Sequence, residues 1–277
     1  MRHFVRSAIC NLAYGASFFK RRTGAVILMY HRINDVPRPS ELVVPVVRFR
    51  EQMEYLSTRY RVIGLEDLLC EQREPDPSDP RPEIVLSFDD GFRDTYVNAF
   101  PIIKQFGFPA IVFLITGMIG TNKRLPRYRN MPVPDMMNWE EVKEMAESGV
   151  IFGCHSISHR RLTGMDYAGQ EDEILDSLAV LKSHNLGAPA HRYSFCYPFG
   201  DYNTDTVRIL KEAGIEIAVT DKPGVNIRGK DLLMLRRTEI NGFDNLSDFK
   251  KKLAGAFDWL YWWNHELMNN RCPRRNR

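Results

Sequence analysis

Two short stretches carry the side chains best suited to hydrolytic chemistry. In VLSFDDGF, residues 85–92, an apolar run ends in Asp89 and Asp90 and is followed by Gly91. In VIFGCHSISHRRL, residues 150–162, a second apolar run ends in His155 and His159. Successive side chains of a regular strand point to opposite faces, so the two carboxylates converge only if a glycine-assisted turn redirects one of them. Like charges brought that close are costly unless a cation binds one or one takes a proton, which points to metal or acid/base chemistry. A single helical turn would place both imidazoles on one face. With one carboxylate they would make a three-ligand set for a divalent ion, leaving a position open to water. Each stretch alone also fits a plainer role, as a solvated Asp-Gly turn or a pair of surface histidines. Both at the ends of strands in one barrel would emerge on the same face.

Two further stretches have the same form. YSFCYPFGDYN, residues 193–203, leads an apolar run into a Pro-Phe-Gly turn whose path suits an amide N–H aimed into a cavity, although a buried strand and ordinary turn read the same way. AVILMYHRIND, residues 25–35, ends its apolar run at His31, either a core histidine or a piece of a site.

The elements that must position these residues follow from the hydropathy pattern. Apolar runs at 25–30, 83–88, 109–115, 150–154, 193–197, 215–220 and 232–237 alternate with helix-patterned segments, several ending at Gly. This alternation indicates βαβ units and a parallel sheet, and about seven near-continuously apolar strands fit a closed barrel at least as well as an open one. The first strand is not followed by GxGxxG, which argues against dinucleotide binding. The proline-rich stretch 71–83 reads as a surface insertion or linker within one domain, or as the boundary of a small N-terminal module, and 121–138 as a second long connection of the kind that covers substrate sites.

Composition narrows the function classes. A 277-residue chain with 44% hydrophobic residues is ordinary globular material, and a net charge of +3 gives no case for nucleic acid. Five cysteines without paired spacing suggest neither a disulfide framework nor a cysteine zinc site, and fit a reducing compartment. The basic start has no continuous apolar core of a signal peptide, so it reads as retained and the chain as cytoplasmic. Phe4, Val5, Ala8, Ile9, Leu12, Ala13 and Ala16 recur at helical spacing among basic residues, making 1–24 an amphipathic helix. Residues 246–277 supply a second amphipathic, aromatic helix and a basic tail. Both ends can lie in a membrane interface on its inner face, or pack on the domain.

Taken in order, SFDDG, HSISH and CYPFG resemble the motifs of the polysaccharide deacetylases of the NodB-homology class, carbohydrate esterase family 4, and the likeness spans roughly residues 25–240. The resemblance implies a distorted (β/α) barrel of about seven parallel strands, a single α/β domain over 25–245. It implies Asp90, His155 and His159 as ligands of a divalent metal, zinc first, Asp89 as general base, and the Phe199 N–H as an oxyanion donor. Two positions depart from the pattern. The arginine that orients the base falls on Cys196, so Arg237 is expected to replace it, with Arg236 as the next choice. The usual C-terminal Leu-x-His acid is missing. LMYHRI resembles the first strand of a circularly permuted subgroup, the poly-N-acetylglucosamine deacetylases, in which the histidine at this strand end, here His31, serves as the acid. First and last strands adjoin in a closed barrel, so moving one between chain ends leaves its side chains in place. The expected activity is removal of an acyl group, acetyl by default, from an amino sugar in a surface polysaccharide or its lipid-linked precursor. Hydrolysis of another non-peptide C–N bond, in a formamide or cyclic amide, and an inactive carbohydrate-binding barrel are the alternatives.

Overall fold

The computed structural model describes residues 24–37, 40–69, 78–121, 123, 125, 135–189 and 192–258. Strand β1 (Val26–Tyr30) is followed by two short strands, β2 (Arg32–Ile33) and β3 (Val43–Val44), and by helix α1 (Val46–Arg59). Then come β4 (Arg61–Val62), β5 (Glu83–Phe88), α2 (Phe100–Phe106), β6 (Ile111–Leu114), α3 (Trp139–Glu147) and β7 (Ile151–Cys154). The chain continues through α4 (Tyr167–Ser183), β8 (Ser194–Cys196), α5 (Thr204–Glu212), β9 (Ile217–Val219), β10 (Arg237–Glu239) and α6 (Leu246–Leu253).

Seven strands run in the order β10-β1-β5-β6-β7-β8-β9, with β4 as a short addition beside β5. Every pairing among them is parallel. Val219 and Leu235 form a further parallel bridge, bringing the approach to β10 against β9 so that the barrel is nearly closed. The last strand lies on the first, with Ile27 opposite Arg237 and Met29 opposite Glu239.

Alternation along the strands divides the core. Val26, Leu28 and Tyr30 of β1, with Ile84, Leu86 and Phe88 of β5, join the large cluster under the helices. Ile27, Val85, Phe113, Cys196, Val219 and Leu235 form a second cluster inside the barrel, joined by Leu65 and Leu68 from a 3-10 turn. This two-sided burial is why the strands read as continuous apolar runs rather than alternating ones. The helices are amphipathic in the expected way: α1 buries Phe49, Met53 and Leu56 at i, i+4 and i+7. Asn138 and Asn203 start α3 and α5 with reciprocal capping boxes.

One strand differs from expectation. The run 232–237 is not a strand: Leu232–Met234 form a 3-10 turn, and the strand follows at Arg237–Glu239. The reason is that the two buried residues of β10, Arg237 and Thr238, are polar, so hydropathy places the strand on the leucines before it.

At the C-terminal side, Phe249, Leu253 and Ala256 are buried, and Phe249 sits edge-on to Tyr55 of α1. The aromatic tail beyond Asp258 and the amphipathic segment before Gly24 lie outside the described residues. Among the described residues, no helix is long and apolar enough to cross a membrane.

Candidate active site

Alternation on β5 puts Val85, Ser87 and Asp89 on the inner face, so Asp89 stands at the top of the barrel interior. Arg237, inward on β10 and fully buried, grips it with two parallel hydrogen bonds, Nη1 to Oδ1 at 2.7 Å and Nη2 to Oδ2 at 2.8 Å. The same guanidinium donates from Nε to the Thr220 carbonyl at 3.0 Å and from Nη2 to Asp221 Oδ1 at 2.9 Å and to Cys196 Sγ at 3.1 Å. Burial by itself would raise the Asp89 carboxyl; Arg237 outweighs it, aided by the His155 and His31 imidazoles, and holds the group well below the usual carboxylate range. Asp89 is therefore ionised and oriented. Arg236, the other arginine considered, is exposed.

Asp90 reaches the same site by a backbone device. Its φ of 75°, followed by Gly91 at 86°, breaks the strand alternation that would have turned its carboxylate away. A Cβ on Gly91 would lie 2.8 Å from Leu114 and Ile119 side-chain atoms, so that turn is closely packed.

His155 and His159 also come together, but not on a helix. Ser156 and His159 both have left-handed backbone, φ 59° and 58°, and the loop they shape brings the rings to 4.7 Å between centroids. The helical turn inferred from the spacing is thus replaced by a tight loop, in which His159 N–H bonds Ser156 Oγ at 2.9 Å. Asp90 Oδ1 lies 3.7 Å from His155 Nε2 and 3.6 Å from His159 Nε2.

The donor set fits a divalent cation. One oxygen of Asp90 and one nitrogen from each histidine lie within 4.8 Å of one another, all buried. His155 Nδ1 is 2.8 Å from the Cys196 carbonyl oxygen, which can only accept, so the proton sits on Nδ1 and Nε2 presents its lone pair. Burial, reinforced by His159, pushes the His155 pKa down to about 3, which keeps the ring neutral. Asp89, His155 and Cys196 form a second group of the same compactness. There, however, both Asp89 and Cys196 face the Arg237 guanidinium, which would repel a cation.

His31 follows β1 directly and is half-buried. Asp89 N–H bonds the Tyr30 carbonyl at 2.9 Å, which ties the chain at His31 to the level of the Asp pair. His31 acts electrostatically on Asp89, Asp221 and Glu239, lowering each carboxyl against the burial that raises it. Phe199 adopts φ 60°, ψ 19° in the Pro-Phe-Gly turn, and its ring packs at 4.6 Å from the His159 ring. The structure thus gathers Asp89, Asp90, His155, His159, Phe199, Arg237 and His31 at one end of the barrel.

Several residues escaped the sequence reading. Asp221 shares Arg237 with Asp89, and it too follows an apolar strand, in IAVTD, a signal identical in form to the one that found Asp89. The buried pair Arg32 Nε to Asp94 Oδ2, 2.7 Å, fixes the residue after His31 to the helical turn after the Asp-Asp-Gly stretch. No local pattern marks that pair.

Comparison with known proteins gives a consistent picture. The profile of the family described as polysaccharide deacetylase matches residues 76–218. Bacillus subtilis YxkH, which carries a polysaccharide deacetylase designation, is 28% identical over 221 residues, 78% of this chain and 71% of that protein. Poly-β-1,6-N-acetyl-D-glucosamine N-deacetylase of Staphylococcus aureus is 23% identical over 216 residues, covering 71% of each. The solved structure of Streptococcus pyogenes deacetylase PplD in complex with acetate superposes with a TM-score of 0.70 at 23% identity, over 84% of this chain and 99% of that one, a likeness of fold.

Proposed function

Because the chain belongs to the polysaccharide deacetylase family, we propose that it hydrolyses the N-acetyl group of an amino sugar, in a metal-dependent reaction, on a surface polysaccharide or its lipid-linked precursor. The observation that carries this reading is the Asp89–Arg237 pair set beside the Asp90, His155 and His159 cluster. A carboxylate held ionised next to a compact imidazole and carboxylate donor set suits amide hydrolysis by activated water.

Asp90, His155 and His159 would hold the cation, zinc first, and when bound it supplies Lewis-acid polarisation of a carbonyl oxygen and a more acidic water. Asp89 takes the proton from the attacking water, and Arg237 keeps the accepting oxygens in place. The Phe199 N–H, in its left-handed turn, donates to the oxygen that gains charge as the carbonyl is attacked. His31, protonated, donates to the departing nitrogen, which would otherwise leave as an unstable amide anion.

Poly-N-acetylglucosamine is the named substrate of the S. aureus relative, which supports an N-acetylhexosamine here. The amphipathic pattern of both chain ends supports contact with a membrane surface, where a lipid-linked substrate would be met. Acetate release from lipid-linked and from polymeric N-acetylated amino sugars, after addition of zinc or cobalt, tests the activity and the substrate class together. Release from neither would count against the reading. Cosedimentation of the full chain with anionic vesicles tests the membrane contact, and protein left wholly in the supernatant would remove it.

A further inference from the structure

We infer that Glu173 of α4 is a positioning residue that holds the His155–His159 loop in its ligand-bearing shape. The loop is not a conformation that its own residues favour. Ser156 and His159 both carry a left-handed φ, which is disfavoured for L-residues other than glycine, and the turn is too short for regular internal hydrogen bonds. Something outside must over-determine it.

Glu173 does so with three bonds on consecutive residues. Its carboxylate accepts the Ser158 N–H at 3.1 Å and, through the other oxygen, the Ser158 hydroxyl. Its main-chain carbonyl also accepts the Ile157 N–H at 3.1 Å. The residue is buried, 5% exposed, and these bonds to the loop are what its carboxylate has in place of water. From the opposite side, Thr116 and Gly117 donate their N–H groups to the Ser156 and Ile157 carbonyls at 3.2 and 3.0 Å. A Cβ on Gly117 would lie 2.4 Å from the Ile157 oxygen, so that second jaw closes only on a glycine. The loop is clamped between the end of β6 and the middle of α4, and the two imidazoles project from the clamped segment.

A charged carboxylate is a costly device for holding a loop, and an apolar contact would cost less to bury. What it adds is direction: two oxygens aimed at one residue set both the height and the twist of the peptide just before His159. The bonds of Glu173 go to Ile157 and Ser158, so it acts on the cation through the geometry of its ligands, as outer-sphere partners do. The inference rests on the reading that Asp90, His155 and His159 hold a divalent cation.

The test is zinc affinity of the stripped, full-length protein, by competition with a chromophoric chelator, alongside thermal unfolding of the metal-free form. Glu173→Ala is expected to weaken zinc binding about 10–100-fold. Glu173→Gln is expected to recover most of it, because its amide oxygen still accepts the Ser158 N–H. Ser158→Ala, which removes one bond and no charge, is expected to fall between the parent and Glu173→Ala, and serves if the latter does not fold. Variants that melt at lower temperature but bind zinc as tightly as the parent would show a purely structural glutamate and overturn the proposal. A parent protein that takes up no zinc would remove the cation reading and the latch with it, whereas zinc held equally by parent and variants removes the latch alone.

Discussion

Arg237 and Asp89, 148 positions apart in the chain, face each other in parallel through both terminal guanidinium nitrogens and both carboxylate oxygens, at 2.7 and 2.8 Å and buried. Such a fork-to-fork pair fixes orientation as well as charge, and lysine cannot reproduce it. Arg237→Lys should therefore lower kcat more than it raises KM. Because Arg237 holds the Asp89 carboxyl down, its replacement should also move the acid limb of the kcat/KM profile to higher pH. An unchanged limb would show that Asp89 does not depend on this arginine. Arg237→Met, which leaves a buried carboxylate without its cation, should cost about 3–5 kcal/mol in unfolding free energy, read by denaturant titration.

The adjacent aspartates should separate cleanly. Asp89→Asn is expected to lose about 10²–10⁴ in turnover while its zinc content, by elemental analysis, stays at the parent level. Asp90→Asn should lose zinc as well as activity. Equal zinc loss in both variants would mean that Asp89 is a ligand rather than a base.

If His31 protonates the departing amine, the need for it should depend on the leaving group. His31→Gln should lose about 10²–10⁴ on an N-acetylated sugar and much less on an aryl acetate ester, whose phenolate leaves without a proton. Equal losses on both substrates, measured as kcat/KM, would assign His31 a role in binding or folding instead.

The buried imidazole makes the metal-free protein sensitive to acid. His155 titrates near 6.5 when unfolded and is pushed down to about 3 in the folded chain by burial and by His159. Between those values the unfolded state binds more protons, so stability rises with pH. The His155 contribution is complete above about 6.5 and is lost progressively as pH falls towards about 3. Asp89, whose folded pKa is also depressed, keeps its contribution above about 3.9 and loses it only as pH falls through its own lower folded value. The melting temperature of metal-free protein should thus fall between pH 7 and 4, and less steeply in His155→Gln. Parallel slopes for parent and variant would remove His155 from the account.

Much of this site is legible in the sequence because it is built at strand ends. A buried parallel strand must be apolar on both faces, so the first polar residue after it stands out, and Asp89, His155 and His31 are each found that way. Arg237 is legible only through the family resemblance, whose base-orienting arginine falls on Cys196 here and leaves the arginine at the end of the last apolar run to replace it. Its strand is not legible, since buried Arg237 and Thr238 do not look apolar. The His155–His159 loop was legible as a pair but not as a shape. Spacing of four suits a helix, and nothing local announces two left-handed residues held by partners from β6 and α4. Glu173 lies on the buried face of α4 beside Gln170 and Ser177, a face too polar to stand out by hydropathy, so only the fold shows that it faces inward.

The pairing of β10 with β1 also orders events during synthesis. Positions 27 and 237 lie side by side, so a chain emerging from its N-terminus carries His31, both aspartates and both histidines before the strand bearing Arg237 exists. Until that strand docks, Asp89 has no guanidinium and the barrel has an open seam between β9 and β1. A nascent or C-terminally clipped chain ending before Arg237 therefore holds most of the reactive groups but not their alignment, and the ability to act arrives only when the last strand completes the ring.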